Sequence, residues 1–166
     1  MDLLFIADPL ESFKIKKDST LAMMRVAQEA GHRLWFCQSR NILWKDNTVV
    51  ADCQSLLIKP SSTSWYELGS AETRSLKTFS AVLMRADPPF DIEHLNATWL
   101  LSAAVRQGAK VFNNPSAVRD HSEKLSITEF PDFIPPTLVT RELSAIEEFH
   151  RQHRDIVIKP LDGMGG

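Results

Sequence analysis

An apolar run, Ile156-Val157-Ile158, ends on Lys159 and passes through Pro160-Leu161-Asp162 into Gly163, Met164, Gly165 and Gly166. Those residue types in that order suit phosphate. Glycines let backbone N–H groups approach phosphate oxygens and take positive φ where a tight turn needs it, and the lysine offsets phosphate charge. The run matches neither G-x-x-x-x-G-K-[ST] nor G-x-G-x-x-G, so alone it reads equally as a phosphate cradle or a surface turn. Upstream, Lys124 supplies a second cation within Arg119-Asp120-His121-Ser122-Glu123-Lys124-Leu125. Arg85 and Asp87 close a third segment just before Pro88-Pro89. An arginine can fork onto a carboxylate and an aspartate can pair with an ammonium, so both are candidates for a ligand's charged groups; a salt bridge that fixes the loop is the alternative. Lys16, Asp18 and Ser19 occupy the loop into a helical pattern, where an anion is favoured, and a plain N-cap is the stronger single reading of Asp18 or Ser19.

Other chemistries have less support. Cys37 and Cys53 are the two cysteines, without C-x-x-C spacing, and are expected to be reduced and buried rather than bridged or zinc-bound. His150 and His153 are three apart on a helical stretch but lack a nearby carboxylate or cysteine to complete a metal set, so a solvated face is expected. Net charge is −2 with scattered Lys and Arg, which favours neither nucleic acid nor an anionic membrane as partner. No apolar run approaches the roughly 20 residues of a membrane helix, and no signal-like segment follows Met1, so a cytoplasmic location is expected.

The elements that must position these residues alternate. Residues 3–7 form an apolar strand ending at Asp8-Pro9. A helix starts at Ser19 and closes on Gly31, and a second strand covers 32–37. Residues 42–60 suggest a hairpin turning at Asp46-Asn47. Residues 61–78 lack a clean period and read as a loop with a short helix. A strand at 79–84, an amphipathic helix at 94–107 closed by Gly108, a strand at 110–113 and a short helix from Asn114-Pro115 through Arg119 complete an open, doubly wound, mainly parallel α/β sheet. Ligands of such sheets sit beyond the carboxyl ends of the strands. From His121 the pattern restarts, with a helix at 123–129, a stiff passage from Pro131 to Pro136, a strand at 137–140, a helix at 144–153 and a strand at 155–159. The expected division is residues 1–120 as one domain and 121–166 as the beginning of a second, too small to bury its own core. Trp35, Trp44, Trp65 and Trp99 are expected in core or interface packing.

Taken in order, Ile15-Lys16-Lys17-Asp18-Ser19, the segment from Met84 to Asp91, Arg119-Asp120 with Glu123-Lys124-Leu125, and the closing Lys159 to Gly166 resemble prokaryotic-type glutathione synthetase, of the ATP-grasp ligase superfamily, over essentially the whole chain. The resemblance implies a pre-ATP-grasp (Rossmann-like) domain followed by the start of an ATP-grasp domain that stops inside its glycine-rich loop. It implies an ATP-dependent ligase that joins γ-glutamylcysteine to glycine through an acyl phosphate, giving glutathione, ADP and phosphate. By position it makes Lys124, Lys159, Gly163, Gly165 and Gly166 the ATP-phosphate contacts and Lys16, Asp18, Ser19, Arg85 and Asp87 the candidates for the peptide substrate. Catalytic residues and the Mg2+ ligands are expected beyond residue 166, so the isolated piece is expected to be inactive. The family pattern often has a lysine where Ala86 stands. A homo-oligomer is implied. Another ATP-grasp carboxylate-amine ligase, against which the Arg85 to Asp91 segment argues, and a non-catalytic binding or assembly module are the competing readings.

Overall fold

The computed structural model describes residues 1–60, 64–87 and 89–161, and the chain divides into two compact units, Met1–Asp120 and His121–Gly166. The first unit contains, in order, β1 (Asp2–Ile6), α1 (Ser19–Glu29), β2 (Arg33–Cys37), β3 (Ile42–Lys45), β4 (Thr48–Ile58), β5 (Tyr66–Ser75), β6 (Ala81–Met84), α2 (Ile92–Arg106), β7 (Val111–Phe112) and α3 (Pro115–Asp120). The second contains α4 (Leu143–His153) and 3-10 turns at Ser126–Glu129 and Pro131–Phe133.

One 7-stranded sheet organises the first unit. β1 pairs in parallel with β2 on one side and β6 on the other, and β6 pairs in parallel with β7. β4 runs antiparallel to β2, β3 and β5. Ala51 pairs with both Ile42 and Arg74, and Leu56 with both Leu34 and Leu68, so β5 takes one edge of β4 while β2 and β3 share the other. Among the described strands β4 alone opposes the common direction. Asp46 and Asn47, at φ 47° and 59°, make the two-residue turn from β3 into β4, as an Asp-Asn pair permits.

Side chains of β1 and β2 alternate between two cores. Leu4, Ile6, Trp35 and Cys37 lie with Ala97, Leu101 and Ala104 of α2, whereas Phe5, Leu34 and Phe36 lie with Leu21 and Met24 of α1. The helices therefore cover opposite faces, which is the doubly wound arrangement. Both helices start on an aspartate cap, Asp18 to the Leu21 N–H and Asp91 to the His94 N–H. Both are followed by a left-handed glycine, Gly31 at φ 80° and Gly108 at φ 95°. Each also anchors β4 through a glutamine. Gln28 bonds both backbone groups of Ile58, at 2.7 and 2.8 Å, and Gln107 accepts from Val49 N–H and donates to Asn47 C=O, each at 2.9 Å. Opposite the strands' carboxyl ends, buried Asp2 accepts from Arg33 at 2.6 Å and Arg74 at 3.0 Å. The Arg74 guanidinium lies 4.4 Å from the ring centroids of both Trp35 and Phe79, sealing that core.

Several expectations are corrected. Most of 61–78 is β5, an edge strand whose Tyr-Glu-Leu-Gly-Ser-Ala-Glu-Thr-Arg-Ser sequence is mostly exposed or half-exposed and so carries no alternation signal. Residues 61–63 lie outside the described residues. Trp35 and Trp65 are buried, but Trp44 and Trp99 are 54% and 52% exposed, so neither packs fully into the core, although Trp44 lies on the same face of the sheet as buried Ile42 and Val49. In the second unit, residues 123–125 form a turn leading into the 3-10 segment, not a helix through 123–129. Residues 137–140 and 155–159 are not strands: neither pairs with another strand among the described residues, and an extended run becomes sheet only through such pairing. Val139, Val157 and Ile158 are accordingly exposed.

Candidate functional site

β1 and β6 lie side by side, and the chain leaves them in opposite directions, from β1 through α1 to β2 and from β6 through α2 to β7. Loops diverging from neighbouring strands leave a crevice at their carboxyl ends, where open α/β sheets bind ligands. A cavity of about 260 Å³ occupies that place. Its cations are Lys14, Lys17 and Arg85, its carboxylates Asp8, Asp18 and Asp87, its hydroxyls Ser12, Ser19 and Thr20, and Phe13 supplies one apolar wall.

Backbone bonds set the loops. Arg85 N–H donates to Ile6 C=O at 2.7 Å, continuing the β1–β6 ladder to the rim, and Asp87 N–H donates to Asp8 Oδ2 at 3.1 Å. The Arg85 side chain turns toward the start of α1, where Nε donates to Thr20 Oγ1 at 3.2 Å and Nη2 to Ser19 Oγ at 3.1 Å. Among the described residues Arg85 and Asp87 form no ion pair, so hydroxyls and backbone fix this loop in place of a salt bridge. A guanidinium beside a helix N-terminus makes a region of positive potential suited to a carboxylate or phosphate oxygen. Across the cavity the carboxylates crowd one another. Burial raises the pKa of Asp8, and the charges of Asp87 and Asp18 add to the rise, outweighing the bond from the Asp87 amide. An ammonium placed there would relieve that repulsion. His94, in the first turn of α2, has its pKa lowered by burial despite the charges of Asp91 and Asp8.

Asp18, Ser19, Arg85 and Asp87 thus fall in one cavity, with Asp18 also serving as the cap of α1. Lys16 is exposed and not among the lining residues. Lys17 and Asp18 both donate backbone bonds to Lys14 C=O, so residues 14–18 form a turn in which positions three apart share a side, and Lys14 with Lys17 face the cavity. Sequence reasoning missed Asp8, Lys14, Lys17 and Thr20. The usable signal was Asp8, the first polar residue past the buried end of β1.

The phosphate-type candidates belong to the second unit. Lys124 is half-buried in the turn at 123–125, and Lys159 is exposed at the end of residues 155–159. Gly163, Gly165 and Gly166 lie outside the described residues. Among the described residues no three His, Cys, Asp or Glu side chains cluster closely enough to hold a metal ion.

Residues 1–119 match the family model described as prokaryotic glutathione synthetase, N-terminal domain, and residues 123–166 match prokaryotic glutathione synthetase, ATP-grasp domain. The chain is 49% identical over 166 residues to a glutathione synthetase of Ralstonia nicotianae, covering all of this chain and 51% of that protein. It is 52% identical over 169 residues to one of Nitrosomonas europaea, covering 100% of this chain and 53% of the relative. The chain therefore spans about half the length of the curated relatives it matches. Among solved structures, an ATP-grasp ligase, PsnB, complexed with precursor peptide PsnA2 and AMPPNP, superposes with a TM-score of 0.51 at 14% identity, covering 99% of this chain and 55% of that one. That likeness is one of fold. With both domains matched in order and the switch-point cavity in the first, the chain belongs to the prokaryotic glutathione synthetase family.

Proposed function

We propose that this chain is the N-terminal half of an ATP-dependent ligase that joins γ-glutamylcysteine to glycine, and that the switch-point cavity holds the charged end of the dipeptide. The cavity itself carries the reading. It gathers Arg85 and Asp87 from one loop and Asp18, Ser19 and Thr20 from another about 65 residues away in sequence, and it sets cations against carboxylates as an amino-acid zwitterion requires. Arg85, with Lys14 and Lys17, would take the α-carboxylate, and Asp8 with Asp87 the α-ammonium. Both glutathione synthetase relatives support the substrate pair.

Joining a carboxylate to an amine requires an activated acyl group. ATP supplies it by phosphorylating the cysteinyl carboxylate, which the glycine amine then attacks. Lys124 and Lys159 suit the ATP phosphates by type and position, with Gly163, Gly165 and Gly166 as the covering loop. Lys159 is exposed and forms no ion pair among the described residues, so its ammonium fits that role without breaking a contact. Mg2+ would accompany ATP, held by oxygen ligands expected beyond residue 166. No helix among the described residues is long and apolar enough to cross a membrane. A cytoplasmic homo-oligomer that binds neither nucleic acid nor membrane completes the reading.

In the full-length protein, Arg85→Ala should raise KM for γ-glutamylcysteine about 10–100-fold, the cost of one charge-assisted bond, and leave KM for ATP unchanged. An effect on ATP alone would remove the dipeptide from this cavity.

A further inference from the structure

Cys37 closes β2 and Cys53 lies within β4, and both are free thiols, 3% and 1% exposed. The antiparallel register sets Leu34 against Leu56, Trp35 against Ser55 and Phe36 against Gln54, so its next step sets Cys37 against Cys53. Backbone bonds decide which kind of pair this is. Arg33 N–H donates to Met1 C=O, and Cys37 C=O accepts from Ala7 N–H, so odd-numbered residues of β2 turn their backbone groups toward β1. Extended by that one step, the ladder puts Cys37 and Cys53 at a non-hydrogen-bonded position with respect to β4, the closer kind, for which Cα atoms lie about 4.5 Å apart. Directly opposed residues share a face, and both cysteines sit in the core that α2 covers. Disulfides span Cα separations of about 4.4–6.8 Å, a range that includes such a pair.

We propose that Cys37 and Cys53 are a cross-strand dithiol that a low-molecular-weight disulfide oxidises to an intramolecular disulfide, stapling the end of β2 to β4. The Cys53 thiolate attacks the small disulfide, one small thiol leaves, and a mixed disulfide forms. The Cys37 thiolate then displaces the second small thiol. One S–S bond breaks in the oxidant and one forms in the protein; two electrons pass to the oxidant and the two thiol protons end on the released thiols. Burial raises both thiol pKa values, Cys53 to about 11 and Cys37 further, and the nearness of Cys53 contributes to the rise at Cys37. Thiolate is therefore scarce, Cys53 reacts first, and closure waits on opening of the ladder where β2 gives way to the 3-10 turn Ser39–Asn41. The pair responds to sustained oxidation, not to brief exposure. It also touches the cavity wall, because Cys37 C=O holds the Ala7 N–H at 3.1 Å, one residue before Asp8. Its chemistry is independent of the ligase reaction.

The test is to expose the chain to bis(2-hydroxyethyl) disulfide for hours, quench with acid, alkylate under denaturing conditions and weigh the intact protein. Wild type should lose both alkylatable thiols, carry no adduct and yield a reducible peptide pair containing Cys37 and Cys53. Cys37→Ser, which cannot close the bridge, should accumulate one mixed-disulfide adduct at Cys53. Two thiols still alkylatable in wild type, or separate adducts on both cysteines, would overturn the proposal.

Discussion

Asp2 and Asp8 stand at opposite ends of β1 and respond to pH in opposite senses. Burial tends to raise the pKa of Asp2, but hydrogen bonds from Arg74 and Arg33 outweigh it and hold the carboxyl below 3.8. A depressed folded-state value means stability that is present above the unfolded pKa and lost as pH falls through the folded one. Resistance to urea should therefore fall below about pH 4, and Asp2→Asn should flatten part of that slope. Arg74→Ala strips Asp2 of its better-buried partner and uncovers Trp35 and Phe79, so it should cost about 3 kcal/mol in the same assay. Asp8 runs the other way. Its raised folded-state value makes the ionised form a liability that grows as pH rises from 3.8 toward that value, so Asp8→Asn should raise the unfolding midpoint at pH 7 while weakening dipeptide binding in the full-length protein. Asp18, Ser19, Arg85 and Asp87 were legible because charged residues at strand ends and helix starts stand out against apolar runs. Asp8 carried the same strand-end signal and was passed over, whereas Thr20 reads as an ordinary helix residue until Arg85, 65 positions on, reaches it.

β4 is the element on which both helices converge, and glutamines at their C-terminal ends hold it. Gln107→Ala removes the acceptor of the Val49 N–H and the donor to Asn47 C=O, leaving a fully buried residue with an unpaired amide. A loss of about 1–3 kcal/mol in chemical denaturation is expected, with faster amide exchange confined to the β3–β4 turn. Retained protection at Val49 would mean that another group supplies the bond. The parallel core was legible in the apolar runs of β1, β2 and β6 and in the capped, glycine-ended helices. β5 was not, because an edge strand exposed along much of both faces needs no apolar alternation and is defined by its partner β4. The same physics defeats the reading of residues 137–140 and 155–159. Their apolar sequences favour extension, but pairing is a property of two segments, and none of the described residues pairs with them.

At the scale of the whole molecule, opposite crossovers from β1 and β6 create the crevice, and two family matches in sequence order place it ahead of an ATP-grasp segment. The order of strands and helices carried that topology in the sequence. The composition of the cavity emerged only when loops distant in sequence met. The proposed dipeptide–glycine ligase makes a strict demand on turnover. ADP release by the full-length protein should require γ-glutamylcysteine and glycine together and should match glutathione formed mole for mole. ADP release that proceeds with a different carboxylate and amine, and not with this pair, would contradict the assignment.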